Sequence, residues 1–321
     1  MTTPPDASDP KAQGGSRSLQ ELSHRLLSIG DDTKTASLAI AARSALRTIP
    51  LLERLSWDKP LPKRMRAAVG RNRMSNSAIV LGTFRSAATA WVAARFPAFG
   101  MSDRFHEIKH DARMAGGAED AGRTAASYAP AATHDAMMAA ISVFSHRPPQ
   151  SSINESLHRE VAARSAGLAT AVASAGFMTA YDPQASEQFH ASRDPHWIRN
   201  RELCEAERVI WDAAWEDVRR LENGGDTRSL LMQPLWPTPL PQYVGDDWRN
   251  LSARLLGRSD EHWAVWIDWY GAQLAGGVDL SERSEIGRVS LPNDVWAQGA
   301  ADRSEERRVG KECRSRWSPY H

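Results

Sequence analysis

Apolar positions recur along this chain three and four residues apart, and no stretch of useful length alternates apolar with polar. That rhythm predicts helices throughout. The pattern Ser18-Leu19-Gln20-Glu21 reads as a capping box opening a short helix with Leu19, Leu22, Leu26 and Leu27, closed by Gly30. A second helix starts near Thr33 with the stripe Leu38, Ala42, Ala45, Ile49 and Leu52, and Pro50 is expected to kink it near Leu46. From Ser75 to Phe96 a helix presents Val80, Phe84, Ala87, Trp91 and Ala94 on one face until Pro97 stops it. Ala-rich helices follow between 102 and 145, with breaks at Gly116-Gly117 and Pro130. After the linker 148–152, a helix from Ser152 or Asn154 reaches Tyr181. Its second half, 165–181, carries no charge for 17 residues. It is too short and too rich in Ala, Ser, Gly and Thr to span a bilayer, which takes about 20 strongly apolar residues. Its small residues predict close backbone packing and a central place in a bundle.

The second half of the chain reads differently. Asp194 and Pro195 open a long helix with a seven-residue rhythm, Trp197, Cys204, Trp211 and Val218 on one seam and Leu203, Ile210, Ala214 and Leu221 beside it. Asn223-Gly224-Gly225 ends it. Five of the 12 tryptophans then fall within 235–277, at Trp236, Trp248, Trp263, Trp266 and Trp269. Asp246 or Asp247 is expected to cap a helix through Leu256, stopped by Gly257. Ser259 or Asp260 caps the next, which Gly276-Gly277 ends. On that helix Trp263, Trp266, Tyr270 and Leu274 share one face, while Val265, Ile267 and Trp269 cover most of the rest. A helix apolar nearly all round is expected to be buried. Its near-solitary charge, Asp268, should then be paired, with Arg249, Arg254, Arg258, a backbone donor or an indole N–H as partners. The expected core of this half is Trp211, Trp215, Trp248, Trp263, Trp266, Asp268, Trp269 and Tyr270. A cleft lined by the same rings is the functional alternative. A weaker segment runs from Ser281 to Trp296.

The aromatic block also resembles a group of alphaproteobacterial proteins with no established activity. The matching residues are Leu235-Trp236-Pro237, Trp248, Trp263, Trp266, Asp268-Trp269-Tyr270, Leu274 and Gly276. The run from Ala41-Ala42-Arg43 to Pro50 and Trp296-Ala297-Gln298-Gly299 look like that group too. The resemblance implies a shared fold and no reaction. Residues 303–321 resemble the conceptual translation of a short-read sequencing adapter, so that segment reads as a non-native tail, with natural sequence expected to continue beyond 302.

These patterns give an all-α, multi-helix bundle, with two packed helical subdomains. A disordered leader covers 1–17, an Ala-rich helical subdomain 18–182, and a Trp-rich helical subdomain 183–302. The boundary is placed at Asp182-Pro183 to Asp194. At 41% hydrophobic and 25% charged the composition is that of a soluble globular protein. A formal net charge of +1 gives no global attraction to nucleic acid or membrane. Two cysteines, Cys204 and Cys313, imply no disulfide framework, and with no apolar leader the expected compartment is the cytoplasm.

Two local patterns carry chemical alternatives. Lys59, Lys63, Arg64, Arg66, Arg71 and Arg73 lie in one run without an acid, a phosphate-contacting pattern. No aromatic interleaves to stack on bases, so a solvated connection between helices competes with a nucleic-acid interface. His106-Glu107-Ile108-Lys109-His110 matches H-E-x-x-H, in which two histidines one helical turn apart reach one zinc ion and the glutamate activates water. It resembles the zincin motif, implying His106 and His110 as ligands and Glu107 as base. Lys109 and Asp111 are charged where that family is usually uncharged, and Gly116 stands where a third histidine would. A solvated His/Glu/Lys face is the competing reading. No phosphate-loop, nucleophile-elbow or cofactor motif is present. The sequence thus favours a non-catalytic helical scaffold or interaction module with a protein partner, truncated before a C-terminal part. A nucleic-acid-associated protein and a zinc-dependent hydrolase are the alternatives.

Overall fold

The computed structural model describes residues 19–55, 57, 76–97, 125–144, 152–192, 203–237, 239–258, 261–276 and 281–291. Among them are 11 α-helices and no strand, the all-α bundle that the three-and-four periodicity requires. They are α1 Leu19–Ser28, α2 Thr33–Arg47, α3 Asn76–Arg95, α4 Tyr128–Phe144, α5 Ser152–Tyr181, α6 Pro183–Ala191, α7 Glu205–Glu222, α8 Thr227–Leu231, α9 Gln242–Leu256, α10 Ala264–Ala275 and α11 Glu282–Val289.

The long helix α5 is central, packed by α1, α2, α4, α6 and α7. Close approach explains its small residues. A Cβ on Gly167 would sit 2.8 Å from Ser23 Oγ, and one on Gly176 would sit 2.7 Å from Tyr128 Cβ and 2.8 Å from Leu51 Cδ1. Where α2 crosses α5, Ser44 and Thr170 share a buried hydroxyl hydrogen bond of 2.9 Å. By length and composition α5 could cross a membrane over Glu155–Tyr181, but 67% of its most apolar window is buried inside the bundle.

The tryptophans build the other side of the core through rings more than through close backbones. Phe84 of α3 meets Trp263, Trp266 and Tyr270 at centroid distances of 6.4, 5.7 and 6.3 Å. Trp248 of α9 lies 4.5 Å from Tyr270, and Tyr270 donates its hydroxyl to the carbonyl of Leu46 at the end of α2. Edge and tilted ring contacts of this kind add about 0.5–1.5 kcal/mol each beyond area burial. Buried side chains on both sides of residue 182 join in one continuous core, so the packing does not follow the compositional division at 182.

Local departures from the sequence expectations have physical causes. Pro50 does not kink a helix; α2 ends at Arg47 and Pro50 opens a 3-10 turn, Ile49–Arg54, where its missing N–H costs nothing. The stretch expected as the domain boundary, from Asp182-Pro183, opens with a helix, with the Asp182 carboxylate accepting from the N–H of Ala185. Cys204 caps α7 and does not lie along it; its N–H donates to Glu207 Oε2 at 3.1 Å. Trp197 and Asp194 lie outside the described residues. Helix α9 begins at Gln242, which frees Asp247 from the capping role.

Candidate functional site

Helix α2 carries Arg43 and Arg47 one turn apart on a helix otherwise built of Ala, Leu, Ile, Ser and Thr through 35–48, and both side chains are buried. Between them lies Asp217 of α7, 1% exposed. Its Oδ2 accepts from Arg43 Nε at 2.8 Å and from Arg47 Nη2 at 2.5 Å. The remaining Arg43 donors turn to backbone. Nη1 donates to the carbonyls of Leu230 and Gln233 at 3.0 and 3.1 Å, and Nη2 to those of Pro234 and Leu235 at 2.7 and 3.4 Å. Arg47 Nε adds a bond of 3.0 Å to the Leu235 carbonyl. Carbonyls past the end of α8 lack the helical donors that would use them, and the Leu230 carbonyl, which also accepts from the Gln233 N–H at 3.1 Å, has a second lone pair free, so a guanidinium fork is well matched to them. The segment 233–236 is therefore a strap tied directly to α2, and to α7 only through the two arginines. On its other side the end of α10 passes so closely that a Cβ on Gly276 would collide with the Pro234 nitrogen, and Gly276 also has φ +70°. Both demands select glycine.

Two cations against one anion leave this buried cluster one positive charge in excess. Burial alone pushes the Asp217 carboxyl up, but the two guanidiniums more than reverse it and hold it below the usual carboxylate range. Burial lowers Arg47, with Asp217 opposing the shift. The Arg47 guanidinium carbon lies 5.8 Å from the Trp236 ring centroid, while its Nη1 makes no hydrogen bond. The strap thus meets α2 through ions, backbone and an indole face.

A second tie joins Asp247 of α9 to Arg54 at 3.0 and 3.2 Å and to the Tyr181 hydroxyl at 2.6 Å. Burial first, then this hydrogen bond, pushes the Tyr181 phenol far above its ordinary value. In a third, the Trp269 indole N–H donates to Glu285 at 3.2 Å, and Glu285 also accepts from Arg288 at 2.8 Å. In all three ties, the acid bridges separate segments. A shallow recess of ≈ 460 Å³ between α1 and α7 is lined by Arg25, Ser28, Ile29, Leu221 and Glu222. Its two charges are spent on each other in a two-point pair at 2.6 Å.

Of the residues expected to form the core, Trp211, Trp263, Trp266, Trp269 and Tyr270 are buried, and Trp215 and Trp248 are half-buried against it. Asp268 is exposed, which corrects the expectation of burial. One face of α10 is buried, but Ala264, Val265 and Ile267 are only partly covered, so the helix is not enclosed all round. His106, Glu107, His110, Lys59, Lys63, Arg64, Arg66, Arg71 and Arg73 lie outside the described residues, as do 1–18 and 303–321. Among the described residues no group of three or more His, Cys, Asp or Glu is placed to hold a metal ion. Sequence reasoning passed over the Arg43–Arg47 pair, Asp217 and Glu285, and read Asp247 only as a helix cap. The available signal was the 43/47 pair, two arginines at i and i+4 in a helix with no other charge between 35 and 46.

Leu157 is 55% exposed, Val161 36% and Leu168 36%, and exposed Leu27 lies on α1, which packs against α5. Cys204, partly buried, has its thiol pushed up to about 11 by burial, far from the range of a reactive thiolate at neutral pH. No protein-family model matches the chain, and neither a curated protein nor a solved structure matches it.

Proposed function

We propose that this chain is a non-catalytic helical scaffold or interaction module. The observation that supports the reading best is the use of α5. Its inner flanks are buried in the bundle, while Leu157, Val161 and Leu168 stand outside on one line. Because each is already half to two-thirds buried, covering the remainder would gain only about 0.5–1.5 kcal/mol per side chain, and a line of such residues marks a docking face. The carboxylates deepest in the described core, Asp217 and Glu285, are consumed in ties between helices. That use suits a frame that holds a surface in place better than it suits chemistry.

A photo-crosslinking residue placed at Leu168, compared with one at exposed Arg283 of α11, tests this in cells producing the full chain. Discrete adducts at Leu168, well above the Arg283 level, are the expected result. Equal or absent adducts at the two positions overturn the reading.

A further inference from the structure

Between 161 and 170 only Val161, Arg164 and Leu168 are exposed, and Leu157 extends the line one turn toward the helix start. Spacings of four, three and four form a seam of the kind one helix presents to another. Every position between 162 and 170 that faces away from this line is buried, so the line is an outer face of an anchored helix. We propose that this α5 face is a self-association surface, packing antiparallel on the same face of a second copy. The proposal rests on the interaction-module reading and names the partner.

The choice of occupant follows from charge. The seam carries one acid beside it, exposed Glu160, and one base within it, exposed Arg164. Among the described residues neither forms an ion pair within its own chain. About a twofold axis between 162 and 163, an antiparallel register sets Leu157 against Leu168 of the second copy and Arg164 against its Val161. The hole receiving each Arg164 is then bordered by the other copy's Glu160. Two leucine layers and two Glu160–Arg164 pairs form at once, as an isologous contact requires. A parallel register would instead stack arginine on arginine. The face has no net charge, so it lacks the basic excess that draws a surface helix to an anionic bilayer. The seam is short. Eleven residue steps at about 1.5 Å each give a strip roughly 17 Å long and about 10 Å wide, on the order of 200 Å², well below the ~800 Å² per partner of a tight complex. The association is therefore weak, with a dissociation constant of about 10–100 µM.

Sedimentation velocity on the full chain from about 1 to about 300 µM reads this directly. The wild type should pass from monomer toward dimer within that range. Leu168→Glu should remain monomeric with unchanged helical signal and melting temperature. Glu160→Arg and Arg164→Glu should each weaken dimerisation by about 10-fold or more, and the double exchange should restore it, because the pairs re-form with signs reversed. A wild-type monomer throughout, a dimer that survives Leu168→Glu, or no rescue by the double exchange overturns the proposal. Leu168-dependent flotation with phosphatidylcholine/phosphatidylglycerol vesicles by a monomeric chain would assign the face to lipid instead. A monomeric chain that still gives a discrete heterologous adduct at Leu168 overturns self-association while leaving the interaction-module reading intact.

Discussion

Removing the Asp217 carboxylate should be among the most damaging single changes available to this fold. Asp217→Ala leaves two buried guanidiniums without their counter-ion and opens a gap where α2, α7 and the 233–236 strap meet. Breaking a buried ion pair by deleting one partner costs about 3–5 kcal/mol. The two hydrogen bonds share one oxygen, so they do not add, and about 4 kcal/mol is the expected loss. For a chain of this size the urea m-value lies toward the upper end of the ~1–3 kcal/mol/M range, so the midpoint should fall by roughly 1.5 M. Asp217→Asn keeps the shape and still loses the charge, and should cost nearly as much. The acid limb gives an independent check. The folded Asp217 lies below its unfolded value of about 3.9, so its contribution is present above that pH and is lost as pH falls through the folded value. Asp217→Asn should therefore flatten the acid dependence of stability. The two arginines should differ as well. Arg43 makes five hydrogen bonds and Arg47 two, so Arg43→Met should cost more than Arg47→Met. An Asp217→Ala unfolding free energy within about 1 kcal/mol of wild type, at unchanged m, would refute the tie.

Three further changes follow from individual contacts. Tyr181→Phe removes the hydroxyl bonded to Asp247 and should cost about 1–2 kcal/mol by denaturant unfolding. Because burial and that bond raise the phenol, the tyrosine's contribution is complete below its ordinary value of about 10 and falls as pH rises above it; absorbance titration should show Tyr181 ionising only with alkaline unfolding. Gly176→Ala drives a methyl into Tyr128 and Leu51 and should destabilise by about 1–3 kcal/mol, whereas Gly271→Ala in α10 meets nothing within 4 Å and should stabilise by about 0.5–1 kcal/mol; thermal melts of the pair separate crowding from helix propensity. In a Cys313→Ser background, Cys204 should react with a thiol reagent far more slowly at neutral pH in the folded chain than in urea, and equal rates would contradict its raised thiol.

Helix existence was legible because apolar spacing reports one face directly. The ends of α1, α3 and α5 fell within a residue or so of the expected positions for the same reason, since Gly30, Pro97 and the Asp182-Pro183 pair interrupt helices by local chemistry. What failed was long-range. Nothing near Asp217 announces that it faces Arg43, which lies 174 residues away. Asp247 looked like a helix cap because capping is a local rule, and its partners Arg54 and Tyr181 are reached only through the fold. Asp268 was assigned to the core because hydrophobicity all round a helix was equated with burial; α10 instead buries its rings on one side and leaves Asp268 outward. The glycine at 276 was readable as a helix stop but not as the seat of the Pro234 strap. The outer line of α5 was hidden by composition, since its Ala- and Ser-rich sequence obscures which flank carries Leu157, Val161 and Leu168.

Buried ties make α2, α5, α7 and the 233–236 strap one cooperative frame that presents one face of α5 outward. Native-state hydrogen exchange read by mass spectrometry measures this segment by segment. The slowest amides of α2, α5 and α7 should open with one shared free energy, and Asp217→Asn should lower all three together. If α7 and the strap open at much lower free energy than α2 and α5, or if Asp217→Asn loosens α7 alone, the two halves fold separately and the ties do not make one frame.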